Sequence, residues 1–231
     1  MNILAIDTSQ KTVSVALLAD ETILVDTFIN RGINHSAVLL PAIEKACQMA
    51  GLTVDGVDLF ALTIGPGSFT GLRIGASTVK GLALATGKPV VGISTLEALA
   101  QNGKSSTRLI CPLLDAQKNQ VYTAYYRVNA DGWVERTTEE RVMNVEALLR
   151  NLNEEVLFLG DGAGIYAELI RKVLRKKAFF AASHQQHVRA GAVGFLGRNK
   201  FLNGDLLDIF RFTPHYLRPS EAEVRLNMQK V

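Results

Sequence analysis

Cysteine, histidine and tryptophan are scarce in this chain: of 231 residues, two are Cys, four His and one Trp. Cys47 and Cys111 lie in separate apolar segments with no metal-ligand spacing. That excludes a disulfide-stapled scaffold and a cysteine zinc site, and reads as two buried thiols in a reducing compartment. No run approaches the roughly 18 apolar residues that a membrane helix needs. Met1-Asn2 leads straight into a strand ended by Asp7 rather than into a leader, so the chain is expected to be soluble and cytoplasmic, with no membrane contact. A net charge of +3 supplies no field of one sign. Lys and Arg concentrate only at Arg171–Lys177, which reads as the solvated end of a helix, so composition does not call for a nucleic acid partner. The histidines form no hydrolase or metal signature. His184 and His187, three apart without further ligands, read as a surface loop. His35 follows a capping Asn34, and His215 beside Tyr216 reads as structural.

What the chain has is glycine at telling places and ample apolar residues (48%) for a packed core. The apolar run Leu59 to Ile64 predicts a buried strand, broken by Gly65-Pro66-Gly67. Ser68 or Thr70 can cap a helix running from about Thr70 to Ala85 whose Gly71, Gly75, Ala76 and Gly81 leave one face almost bare. A strand, a glycine turn and a helix start offer a cradle of N–H groups suited to an anion or to close contact. Glycine inside a helix costs about 1 kcal/mol relative to alanine, so something must approach the backbone closely. That can be a ligand, another helix, or this helix's own sheet.

A strand–aspartate–strand unit occurs twice. Asn2 to Ile6 ends in Asp7-Thr8-Ser9 and resumes at Val13; Leu109 to Leu114 ends in Asp115-Ala116-Gln117 and resumes as a strand from Val121 to Val128. Two such hairpins 108 residues apart predict two similar lobes, residues 1–105 and a smaller, more divergent 106–231. The first lobe adds a strand at Thr22 to Asn30, a helix at Asn34 to Met49, a strand at Pro89 to Ile93 and a capped helix start at Ser94-Thr95-Leu96-Glu97. The second adds a strand to Arg141, a helix at Asn144 to Leu152 and a strand at Val156 to Leu159. The turn Gly160-Asp161-Gly162-Ala163-Gly164 then leads into a helix to Leu174, and a last helix spans Arg189 to Asn203. Pro219 to Glu223 reads as irregular. Alternating strands and helices with antiparallel hairpins predict a mixed α/β fold.

Two lobes that each open with strand–Asp–strand are similar to the sugar kinase, Hsp70 and actin superfamily, a two-lobed fold with duplicated ribonuclease H-like lobes. Within it, Ile3-Leu-Ala-Ile-Asp7-Thr8-Ser9, Gly65-Pro66-Gly67-Ser68-Phe69-Thr70-Gly71-Leu72-Arg73-Ile74-Gly75 and Pro214-His-Tyr216-Leu217-Arg218 resemble the TsaB family. These proteins take part in making threonylcarbamoyladenosine at adenosine 37 of tRNAs that read codons starting with A. The resemblance implies a noncatalytic dimerisation subunit that binds and activates a catalytic relative, TsaD, joined by an ATPase, TsaE. It implies a homodimer when alone, contact with tRNA through the complex, and no intrinsic cofactor, ATP and metal being used by the assembly.

In TsaD the glycine loop and small-residue helix precede a strand and a His-x-x-x-His metal motif. Carried over, that pair falls on Thr95 and Leu99, which cannot supply imidazole ligands. The resemblance places partner contacts on the first lobe's helices, at Leu39, Ile43, Ser68, Thr70, Gly71, Arg73, Ile74, Gly75 and Thr78. A vestigial nucleotide cleft would be formed by Asp7, Thr8, Ser9, Asp115, Gly160 and Gly162. Two other functions remain open: an ATP-dependent kinase or transferase using Asp7 and Asp115, and a metallopeptidase, which the missing His pair disfavours.

Overall fold

The computed structural model describes residues 1–32 and 34–218; the irregular tail expected after Arg218 lies outside them. The first half of the chain builds β1 (Asn2–Asp7), β2 (Val13–Ala19), β3 (Thr22–Ile29), α1 (His35–Ala50), β4 (Leu59–Gly65), α2 (Phe69–Thr86), β5 (Val90–Ser94) and α3 (Thr95–Ala100). The second half builds β6 (Leu109–Asp115), β7 (Gln120–Thr123), β8 (Tyr126–Val128), β9 (Val134–Arg136), β10 (Arg141–Asn144), α4 (Val145–Arg150) and β11 (Val156–Leu159). It continues with α5 (Asp161–Ile165), α6 (Ala167–Leu174), β12 (Ala178–Phe180) and α7 (Ala190–Leu202).

The two sheets repeat one topology. The first runs β3-β2-β1-β4-β5 and the main path of the second β10-β7-β6-β11-β12. In each, three strands are antiparallel, and the opening strand then pairs in parallel with a fourth, which pairs in parallel with a fifth. The antiparallel part follows from short hairpins, the parallel part from helical crossovers. Asn34, Ser68, Ser94 and Asn144 each cap a helix by accepting backbone N–H bonds, as their side chains favour.

The layers alternate. Helices α1 and α2 cover one face of the first sheet around Leu4, Ile6, Phe60, Leu62 and Val79. Its other face is shared with the second lobe: Ala5, Leu18, Ala61, Leu96, Leu99, Ile110, Leu114 and Val193 form one continuous core around α3 and α7. Helices α4 and α6 close the far face of the second sheet on Leu113, Phe158 and Ile170. At about 1.5–3 kcal/mol for each large apolar side chain buried, the central cluster makes the two lobes depend on one another.

Three local expectations give way. The strand drawn from Val121 to Val128 is two strands, because Tyr125 accepts from Thr137 N (2.7 Å) and donates its own N–H to Thr138 Oγ1 (2.9 Å) instead of to β6. The helix drawn to Leu174 breaks at Tyr166 into α5 and α6. Helix α7, beyond residue 105 in the chain, packs on the first sheet. Its Gly191, Gly194 and Gly197 recur every third residue and let its backbone lie against Ile23, Leu18 and Ala61. Among the described residues no helix is long and apolar enough to cross a membrane.

A Cβ at Gly197 would stand 2.6 Å from Ala61 Cβ, an atom fixed to the strand backbone, whereas the methyl facing Gly194 is the movable end of Leu18. Gly197→Ala is therefore expected to cost about 1–3 kcal/mol of unfolding free energy in urea titration, and Gly194→Ala clearly less. Equal costs would show that α7 does not approach the sheet as closely as drawn.

Candidate interlobe cleft and partner face

The glycine string closes on the chain's own first hairpin. Ser68 N donates to Ser9 O at 2.7 Å, and a Cβ at Gly67 would run into that carbonyl. Thr8 Oγ1 donates to Gly71 O at 2.8 Å; a Cβ at Gly71 would strike Thr8 O, and one at Gly75 would strike Thr8 Oγ1. Gly65, at φ +125°, sits under the carbonyl of His215. Of the three approaches that could explain the glycines, the turn Asp7-Thr8-Ser9 of this same chain fills the space. At the start of α2 the Ser68 N–H is thus taken by Ser9 O.

Asp7 is wholly buried. Its Oδ1 accepts from Ser9 Oγ (2.5 Å), Ser9 N (3.1 Å) and Thr63 Oγ1 (2.7 Å). Burial pushes its carboxyl pKa above the ordinary range, and the hydrogen bonds from Ser9 and Thr63 oppose that only in part. Asp7 and Thr8 therefore belong to the wall of the cleft and not to its lining, a correction to their expected place; Ser9 reaches the edge.

The second lobe repeats the device. Gly160, at φ +105°, and Gly162 lie against the Leu113 carbonyl, so the turn after β11 rests on β6 as the turn after β4 rests on β1. Asp115 does face the cleft, where its Oδ1 accepts from Gln117 N (3.0 Å) and Tyr166 OH (3.3 Å). Asp161 stands beside it, accepting from Asp115 N (3.1 Å) and Gly162 N (2.8 Å), with its pKa raised by burial. Asp161 was not among the expected site residues, although it lies inside the expected glycine turn. His187 also belongs to the cleft. It is half-buried, its ring centroid is 5.5 Å from that of Phe28, and burial lowers its pKa, so only His184 of that pair stays on the surface.

The cleft has a volume of about 660 Å³ and is crossed by Pro214–Arg218. His215 N donates to Ile64 O (2.7 Å), the Tyr216 ring lies 4.5 Å from Phe69, and Arg218 donates to Ala116 O (3.1 Å). Arg73 sits 3.9 Å above Phe69 and donates from Nε to the Tyr216 hydroxyl (3.2 Å). The two most specific motifs of the sequence are therefore one packed unit joining both lobes, with Lys11 at its open edge. Among the described residues no group of three or more His, Cys, Asp or Glu could hold a metal. Thr95 and Leu99 are wholly buried in α3 between the sheets.

On the outer face of the first lobe the expected partner residues divide. Leu39 and Ile43 point inward and belong to the core beneath α1, so they are not on the surface. Leu40, 54% exposed, takes the outer place on α1 instead. Gly71 and Gly75 are covered by Thr8. Ser68 and Thr70 are exposed where they line the cleft, Arg73 is exposed, Ile74 and Thr78 are half-buried, and Ser77 and Leu84 extend the open stripe along α2.

A twice-repeated unit of three antiparallel and two parallel strands around one cleft defines the actin-like ATPase and sugar-kinase class of fold. The activator of 2-hydroxyisocaproyl-CoA dehydratase from Clostridium difficile shares it at a TM-score of 0.52 over 88% of this chain and 97% of that one, with 10% identity, a likeness of fold alone. Within that class the chain belongs to the TsaB family, proteins of tRNA threonylcarbamoyladenosine biosynthesis. It is 34% identical over 228 residues to the tRNA threonylcarbamoyladenosine biosynthesis protein TsaB of Bacillus subtilis, covering 97% of each. YeaZ from Pseudomonas aeruginosa superposes at a TM-score of 0.79 with 30% identity, over 94% of this chain and 99% of that one. The family model TsaD: tRNA N6-adenosine threonylcarbamoyltransferase matches residues 30–226.

The raised pKa of Asp7 has a definite sign in stability. The folded state holds the proton above the ordinary aspartate value, so the contribution of Asp7 falls as pH rises from about 4 through its folded pKa. Asp7→Asn, which keeps the Oδ1 acceptor, should remove that fall. Urea midpoints of the two proteins between about pH 4 and pH 7 are expected to converge or cross in the variant's favour as pH rises. Parallel curves would show an ionised or solvated Asp7.

Proposed function

We propose that the chain is a noncatalytic subunit that binds and activates TsaD in threonylcarbamoyl transfer to N6 of adenosine 37, in tRNAs reading codons that start with A. The observation that carries this reading is the state of Thr95 and Leu99. They stand where resemblance places the metal-binding histidines of TsaD, neither can ligate a metal as imidazole does, and both are sealed in the core. A chain with that scaffold and without those ligands acts by binding. The family-model match to TsaD and the TsaB name of the Bacillus subtilis relative support the pairing.

The surface that suits the partner is the outer face of α1 and α2. Leu40 and Leu84 expose apolar area there, and Ser77 and Thr70 are small enough for close helix approach. An apolar patch of this kind is usually covered in a soluble protein, so the free subunit pairs with a second copy and exchanges it for TsaD. The ATPase TsaE joins the pair. ATP and metal then serve the assembly, tRNA is met through it, and this subunit holds no cofactor of its own. Such work places it in the cytoplasm.

The kinase reading retains one supporting observation, the pair Asp115 and Asp161 facing an open cleft. Single-turnover ATP hydrolysis by the isolated chain, abolished by Asp115→Asn, would favour it over the binding subunit.

The direct test is size-exclusion with light scattering on the chain mixed with TsaD. A one-to-one complex is expected, and Leu40→Asp or Ser77→Arg should weaken it by roughly 2–4 kcal/mol, the range of an interface hot spot, while Asp115→Asn leaves it intact. Gly75→Arg is unsuitable, because it would strike Thr8 and disturb the fold. A folded chain that makes no complex with TsaD would overturn the reading.

A further inference from the structure

A second cavity, of about 360 Å³, opens on the far side of the β4–α2 loop from the cleft. Its inner part is acidic and polar. The Glu140 side chain is only 4% exposed, and Ser94 Oγ donates a short hydrogen bond to its Oε1. Glu97 lines the same space, and among the described residues its carboxylate has neither an ion pair nor a hydrogen bond. Tyr126 also lines it, is wholly buried, and among the described residues its hydroxyl has no hydrogen-bond partner. Burial, then the nearness of Glu140 and Glu97, pushes the tyrosine pKa up, so that hydroxyl keeps its proton. Burial likewise raises the pKa of Glu97.

The mouth is cationic. Arg136, 44% exposed, stands 3.3 Å from Glu140, and Lys200, 32% exposed, donates to Gly92 O at 3.1 Å with Asp205 on its outer side at 3.3 Å. His215 lies at the same rim, 3.8 Å from Glu140. Two carboxylates inside and two cations at the rim suit a guest that is neutral overall and carries both charges. A lone cation would face Arg136 and Lys200 on entry, and a lone anion would be pushed against Glu97 and Glu140. Buried polar groups are normally satisfied, so an orphaned Tyr126 hydroxyl beside an unpaired Glu97 marks hydrogen bonds that something else completes.

We propose that this cavity binds a small zwitterion with the chemistry of a free α-amino acid, its ammonium between Glu97 and Glu140 and its carboxylate toward Arg136 and Lys200. The volume is ample for a small side chain as well. The ligand stabilises the contact between α3, α7 and the β8–β10 region, since those elements supply the lining.

The test is calorimetric titration of the full chain with glycine, alanine, serine, threonine, aspartate and glutamate, with methylammonium and acetate as one-charge probes. At least one amino acid is expected to bind tenfold or more tightly than either probe. Tyr126→Phe, which keeps the core ring, and Glu97→Gln should each weaken it at least tenfold with unchanged circular dichroism. If Glu97→Gln does not fold, Arg136→Gln at the rim reads the same site. No binding by any of the six at about 10 mM, equal binding of methylammonium, or variants as tight as the parent would each overturn the proposal and leave a cavity filled by water alone.

Discussion

The contact on which the structure depends is the seating of Thr8 under helix α2. The turn Asp7-Thr8-Ser9 can enter the space only because Gly67, Gly71 and Gly75 carry no side chains, and Thr8 Oγ1 and Ser9 O then fasten it to the helix start. Three consequences follow from that seating. Asp7 is drawn into the interior and bound by Ser9 and Thr63, so the carboxylate expected at a vestigial nucleotide cleft becomes part of the wall. The loop after β4 is held at the height where Phe69 and Arg73 meet Tyr216. The opposite face of α2 is left toward solvent, beside that of α1.

The second lobe uses the same device with a different outcome. Gly160 and Gly162 seat their turn on Leu113, but Asp115 remains at the cleft surface, joined to Asp161 and Tyr166. Between the two seated turns the chain lays its Pro214–Arg218 segment, and between the two sheets it lays α3 and α7. The space between the two sheets is spanned by a shared apolar core, and the segment crossing the cleft is fastened by hydrogen bonds such as Arg218 to Ala116 O. A scaffold joined in this way is suited to presenting a fixed outer face to a partner.

Much of this was legible in the residues. Apolar runs ended by Asp7 and Asp115 gave both hairpins, Ser68 and Ser94 announced their helices, and the long glycine motif named the family. Other features depend on distant contacts that no local pattern encodes. Leu39 and Leu40 are adjacent and equally apolar, so which of them faces the core is decided by the crossing of α1 over β2. Gly71 and Gly75 read equally well as an outward or an inward face until Thr8 is placed. The interruption between β7 and β8 comes from bonds of Tyr125 to Thr137 and Thr138, more than ten residues on. The tilted contact of Tyr216 with Phe69 joins motifs far apart in the chain. The Gly191, Gly194 and Gly197 spacing was a readable sign of close helix-on-sheet packing, but not of which sheet.

The central claim is that α2 turns Gly71 and Gly75 inward onto Thr8 and its outer face toward TsaD. Hydrogen–deuterium exchange of this chain, alone and mixed with TsaD, addresses both halves in one measurement. The account predicts slow exchange at the β1–β2 turn and the start of α2 in both samples, with new protection on adding TsaD confined to α1 and α2. Protection that appears at the β1–β2 turn or around Asp115 and Asp161 instead, with α1 and α2 unchanged, would contradict it.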